Sequence, residues 1–329
     1  MNNKGMAITT VIYSIILLLS LCMFLALGIL RSEYTNDKQY ILDLREELNN
    51  LLKGDEESYG VDKIIKQTGN KDNSGLYTIT HSKDTTLQIG NDKDIKEYRY
   101  RGANPKNYVT FNNEVWRIIG VFPTDDGTGN IENRIKIIKD QSIGDKYWDT
   151  NGLNNWARPA TLNTELNTTY LNSLDSTSKN MLSNTKYYLG GYNNISQIQK
   201  DVMYKYERKI NGSTYYNGSN PNSWVGKLAL MYASDYGYAA SDECTQTLVN
   251  YNNATCKNNN WLFKGNDEWI LLQDADGSYY AFYVDSVGRV INHDVFDYQY
   301  AVRPVLYLTS AVQITGGEGT SSSPYKLSI

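Results

Sequence analysis

Asp274-Ala275-Asp276-Gly277 sets two carboxylates at alternate positions, the spacing at which both can reach one cation. Asp-Gly between two apolar runs is also a hairpin turn signal. The later Glu of a helix–loop–helix calcium site is missing, so the stretch reads as a turn. Cys244 and Cys256 flank a short Asn-rich stretch and form a natural disulfide if the region is exported. Neither has a neighbouring base that would make it a reactive thiolate. His81 and His293 are the only histidines, and they lie far apart. No Cys/His/carboxylate grouping has zinc-ligand spacing, so neither a metal nor a cofactor is expected. His81 sits in a polar turn and reads as exposed.

Trp148, Trp156 and Arg158 fall in a loop-rich region. Aromatic loops suit sugars and peptides, which makes these three the candidate ligand-facing cluster; the competing reading places the tryptophans in the core. Arg303-Pro304 lies in an apolar strand, where an arginine is expected to be buried and paired with one carboxylate. Ser234-Asp235 looks like the start of a helix, with Ser as cap and Asp in the first turn. Nucleotide-binding glycine loops, a nucleophile elbow and zinc-protease motifs are all missing. Any carboxylate dyad drawn from 36 acids is arbitrary.

The elements that must position these residues are mainly β. Residues 98–102, 107–111, 114–122 and 134–140 read as a meander, with Asn112-Asn113 as a turn. Leu162, Leu166, Tyr170 and Leu174 recur at helical spacing, and 195–210 is a second helical candidate. Further strands are expected at 227–231, 268–273, 278–284, 288–291 and 303–308. Residues 54–97 are polar and read as a linker with minor strands at 76–80 and 86–89. A net charge of -4 with no basic block excludes a nucleic-acid partner. The 28 tyrosines against 6 phenylalanines accompany a general richness in Asn, Lys and Ile.

Met6 to Leu30 is an uncharged, mostly apolar run, long enough as a helix to cross a ~30 Å hydrocarbon core. Lys4 precedes it, which keeps the N-terminus in the cytoplasm and puts the rest outside. Tyr34, Ile41, Leu44, Leu48 and Leu51 continue an apolar stripe to Lys53, and Gly54 supplies a stop. Asn3-Lys4-Gly5 before this helix resembles a type IV pilin-like (class III) signal. The resemblance implies cleavage after Gly5, a methylated Met6 and a helix packed among pilin-like subunits. Thr10 stands where that family carries Glu.

NYVTFNNEVWRIIGVF, RIKIIKDQSIG, LNTELNTTYLNSL, GKLALMYASDYGYA, YAVRPVLYL and GGEGTSSSPYKL together resemble an uncharacterised surface-domain family of low-GC Gram-positive bacteria. That family looks like the C-type-lectin-like fold of formylglycine-generating enzymes. The expected fold class is therefore α+β, a long N-terminal transmembrane and stalk α-helix plus a C-type-lectin-like mixed head with antiparallel sheets. The expected segments are 1–53 helix, 54–97 linker and 98–329 head. The expected function is adhesion or binding by a non-enzymatic head on a single-pass cell-membrane protein, with the head outside. Its expected partners are membrane lipid, pilin-like subunits through the N-terminal helix, and a glycan or peptide. The alternatives are an extracellular formylglycine-generating or glycan-modifying enzyme, and a minor pilin without a ligand.

Overall fold

The computed structural model describes residues 13, 17–25, 35, 37–41, 59–68, 75–193, 198–210 and 220–329. The chain divides into two units, Met1–Glu57 and Ser58–Ile329. In the first, residues 17–25 and 37–41 are helical. Among the described residues no helix is long and apolar enough to cross a membrane. This overturns the expected transmembrane and stalk helix, and with it the single-pass cell-membrane location. The processing residues Gly5 and Met6, and the stop at Gly54, lie outside the described residues.

The second unit begins well before residue 98. Helix α1 (Gly60–Ile65) buries Val61 and Ile64, and the Gly60 N–H donates to Val312 O at 2.8 Å. Strand β1 (Gly75–His81) pairs antiparallel with β2 (Ile95–Arg101) along its whole length, from Gly75↔Arg101 to His81↔Ile95. The stretch expected to be a linker is therefore part of the fold. Its polarity reflects the burial of β1, in which Tyr77 and Ile79 are half-buried, Thr78 and Thr80 are exposed, and the strand ends are buried. Of the two minor strands, 76–80 lies inside β1, whereas 86–89 makes only an isolated bridge from Leu87 to Lys209.

Strands β3 (Tyr108–Phe111), β4 (Glu114–Asp125) and β5 (Ile131–Lys139) form the centre of a nine-stranded sheet. Asn112 and Asn113 both take positive φ, 52° and 57°, as a two-residue hairpin turn requires. The sheet runs β15-β16-β3-β4-β5-β14-β9, and β1-β2 join it through β4. Here β9 is Leu228–Ala229, β14 Val305–Tyr307, β15 Gln313–Gly316 and β16 Tyr325–Ser328. At Gly120 the β2 backbone passes so close that a Cβ would lie 2.0 Å from Tyr98 O, so only glycine fits.

The second sheet orders β12-β11-β10-β13-β6: Val290–Asp294, Tyr280–Val284, Glu268–Gln273, Tyr300–Ala301 and Asp145–Lys146. Strands β7 (Thr185–Tyr188) and β8 (Ser223–Gly226) make a separate pair. Two pairings, β16–β3 and β10–β13, are parallel. The expected class is thus corrected: sheets dominate, they are mixed, and the helices are short. Helices α2 (Thr161–Glu165) and α3 (Leu171–Ser173) flank a π-turn at Leu166–Tyr170, and α4 (Ser176–Asn180) follows. Helix α5 (Lys200–Glu207) has eight residues, α6 is Ala233–Ala239 and α7 is Ala254–Lys257. Leu162, Leu166 and Leu174 are buried on one face, as their spacing predicts. One continuous core joins both sheets through Trp116, Trp148, Trp156 and Trp269.

Candidate functional site

The tryptophans expected to face a ligand are inside. Trp148 and Trp156 are each 1% exposed and meet edge-to-face with centroids 5.2 Å apart. Trp148 also packs on Trp269 at 5.9 Å, and Trp156 on Trp224 at 6.3 Å. The cavity against them holds about 10 Å³, room for one water at most. Their loop lies under the second sheet, so the aromatic rings fill core, not surface. Arg158 does stand at the surface side, but it ion-pairs with Asp149. Arg303 is buried and bidentate on Glu268, at 2.7 and 2.8 Å, and donates to Leu262 O at 2.7 Å. Cys244 and Cys256 form a disulfide with Cα atoms 4.7 Å apart.

Asp274 is a turn residue. Its Oδ1 accepts from the N–H groups of Asp276 and Gly277 at 2.8 and 3.0 Å, and Oδ2 accepts from Asn292 Nδ2 at 2.7 Å. Among the described residues no group of three His, Cys, Asp or Glu side chains is placed to hold a metal ion.

An open concavity of about 580 Å³ lies beside this turn, lined by Thr150, Asn151, Gly152, Tyr279, Asp294 and Phe296. Tyr279 and Phe296 are each 45% exposed. Three segments meet there, and hydrogen bonds fix each to the next. Asp149 is buried, and its Oδ1 accepts from the Thr161 N–H and hydroxyl, both at 3.0 Å. Its Oδ2 accepts from Leu153 N at 3.0 Å and from Arg158. Burial would raise the Asp149 carboxyl, but these donors and the Arg158 charge hold it below the usual carboxylate range. Asn154 Nδ2 reaches the carbonyls of Asp274, Gly277 and Tyr280 at 3.0, 2.7 and 2.8 Å, tying the loop to the turn. Val295 donates to Tyr279 O at 3.0 Å, and Asp149 N donates to Val295 O at 3.1 Å.

Gly152, at φ +73°, fits where a Cβ would press the Phe296 ring at 3.2 Å. The result is a fixed surface with two aromatic faces and hydroxyl, amide and carboxyl groups between them. Burial and the neighbouring Asp297 push the Asp294 carboxyl up. In the sequence, Tyr279 lies in the aromatic run SYYAFYV, which reads as a strand, and Phe296 stands in a polar stretch of a Tyr-rich chain, so neither carries a signal of its own. The concavity takes Thr150, Asn151 and Gly152, which lie between the expected Trp148 and Trp156, while neither tryptophan nor Arg158 lines it.

A second feature is fully enclosed. Arg99 on β2 donates from Nε to Glu97 Oε2 and from Nη1 to Asp235 Oδ1, both at 2.8 Å. Lys136 on β5 hydrogen-bonds the other oxygen of Asp235, at the start of α6. Both side chains of this pair are 0% exposed. Arg208 pairs with Glu207 at 2.7 Å, and Glu207 Oε1 accepts the Ser234 N–H at 2.8 Å. The expected cap is thus corrected: Ser234 lies inside α6 and serves Glu207, while Asp235 Oδ2 accepts the Tyr232 N–H at 2.9 Å. Aromatic faces surround the cations. Arg208 sits 3.8 Å from the Tyr204 centroid, Arg99 4.5 Å from Phe122, and Lys136 4.4 Å from Tyr232.

His81 belongs to this centre, contrary to its expected exposure. It is buried, stacks on Tyr204 with centroids 3.5 Å apart, and lies 3.2 Å from Glu97 Oε2. Burial pushes the imidazole below its ordinary value, against the hydrogen bond and charge of Glu97. Glu97 is pushed up by burial, yet Arg99 and His81 hold it well below the carboxylate range. Glu207 is raised by burial.

No protein family, curated protein or solved structure matches this chain.

Proposed function

We propose that this chain is an exported, non-enzymatic binding protein that holds a saccharide in the concavity between Phe296 and Tyr279. The observation that carries this reading is the convergence of three hydrogen-bonded segments on that surface. A surface held in one shape loses little entropy on binding. Its volume, about 580 Å³, suits a small ligand. The two rings offer flat apolar faces for the C–H side of a sugar ring. Thr150, Asn151 and Asp294 offer donors and acceptors for its hydroxyls. The disulfide supports folding in an oxidising compartment. The biological role that fits is adhesion or display. An array carrying glycans and peptides tests it with the full chain. Saturable retention on glycans, weakened in Phe296→Ala roughly 2- to 10-fold as one aromatic contact allows, is expected. Retention on peptides alone, or on nothing, overturns the saccharide reading.

A further inference from the structure

We propose that Lys136 and Asp235 become joined by an intramolecular amide bond. Their side chains are completely enclosed and already hydrogen-bonded to each other, Nζ to Oδ2. Phe122, Tyr232 and Tyr307 stand around the amine, with ring centroids 5.6, 4.4 and 5.2 Å from Nζ. No water or competing nucleophile needs to be displaced from between the two groups. Holding reacting groups in contact in this way replaces a bimolecular encounter and is worth effective concentrations on the order of 10⁵ M or more.

The step balances within the pair. One proton passes along the existing hydrogen bond from the Lys136 ammonium to the Asp235 carboxylate, giving an amine and a carboxylic acid. Nζ then attacks Cγ. A C–N bond forms, the C–O bond to the protonated oxygen breaks, and that hydroxyl leaves with a proton from nitrogen as water. Nothing is oxidised or reduced. Arg99 Nη1, 2.8 Å from Oδ1, donates to the oxygen that remains and stabilises the charge it gains during attack.

Charge bookkeeping favours the product. Arg99 keeps Glu97 at 2.8 Å, and Arg208 keeps Glu207 at 2.7 Å. Lys136 and Asp235 are the cation and the anion that can vanish together without stranding another. Removing both relieves the desolvation cost of a buried ion pair. Burial pushes the Lys136 amine down, which favours its reactive neutral form. Lys136 and Arg99 hold Asp235 below the usual range against burial, so the neutral pair is a minor species. The bond therefore forms slowly in the folded chain rather than during folding. It ties β5 to α6 across a sequence separation of 99 residues.

Mass spectrometry of the full chain, held folded for days and then reduced and unfolded, tests this. Wild type is expected to fall one water below the mass predicted from Lys136→Arg after allowing for the substitution. Digestion of wild type is expected to give a branched peptide pair carrying Lys136 and Asp235. Should Lys136→Arg fail to fold, the wild-type digest decides alone. Separate linear peptides with unmodified Lys136 and Asp235 would show an ordinary buried ion pair and overturn the proposal.

Discussion

The enclosed charge centre and the open concavity use the same residue types for opposite ends. Around Arg99, Lys136 and Arg208, the rings of Phe122, Tyr204 and Tyr232 turn their faces to cations and shut water out. At the concavity, Tyr279 and Phe296 turn theirs to solvent. In the first region every charge faces an opposite charge, because an unpaired ion in a dry interior costs several kcal/mol. In the second, the exposed polar groups are only partly engaged: Thr150 Oγ1 hydrogen-bonds Thr161 Oγ1 at 2.9 Å and Asn151 Nδ2 donates to Asp149 Oδ1 at 3.4 Å, and both residues still face solvent. Stability and recognition are thus kept on different side chains. Changes in the first region should unfold the protein, and changes in the second should leave it folded and silent.

The largest effect should come from cutting the chain at residue 98. That removes α1, β1 and the first three residues of β2, Glu97 among them, and leaves the rest of β2 only its two pairs with β4. Such a chain is expected to melt without a cooperative transition, whereas one beginning at Ser58 melts sharply; calorimetry on the two decides. Next is Arg99→Ala in the enclosed centre, which removes the charged hydrogen bonds of buried Glu97 and of Asp235 Oδ1. A loss of about 3–5 kcal/mol is expected in denaturant unfolding. Phe296→Ala, on the exposed surface, should change the same measurement by no more than about 0.5 kcal/mol. Equal losses in the two variants would erase the division between the regions.

A smaller effect concerns pH. The His81 imidazole is held below its ordinary value of about 6.5. Below that pH the unfolded chain takes up a proton that the folded chain resists, so stability falls as pH falls. The contribution is complete above about 6.5 and is lost progressively toward the folded value. His81→Gln removes this slope, so its melting temperature should drop less than that of wild type between neutral and mildly acidic pH. An unchanged slope would mean that His81 is not the group responsible.

Much of the sheet was legible because β formers and turn residues alternate plainly. EVWRII and RIKIIK became β4 and β5, and Asn112-Asn113 became the turn between β3 and β4. The charge centre was not legible. His81, Glu97, Lys136, Glu207 and Asp235 lie on separate elements, and a polar neighbourhood in sequence concealed a dry one in space. Trp148 and Trp156 were visible but misplaced, because a loop that folds over a sheet buries its large side chains as a strand would. Arg303 was read correctly because an arginine within an apolar strand has few alternatives. The concavity depends on contacts between residues 149–154, 274–280 and 294–296, which no local pattern reveals.

The most direct measurement is a titration of the saccharide retained on the array against full-length wild type, Phe296→Ala and Arg303→Lys, with folding checked for each. If the concavity is the binding surface, Phe296→Ala stays folded and loses roughly 2- to 10-fold or more in affinity, the value of one aromatic contact. Arg303→Lys, wherever it remains folded, binds as wild type does. Undiminished binding by folded Phe296→Ala would contradict the account and place recognition elsewhere on the molecule.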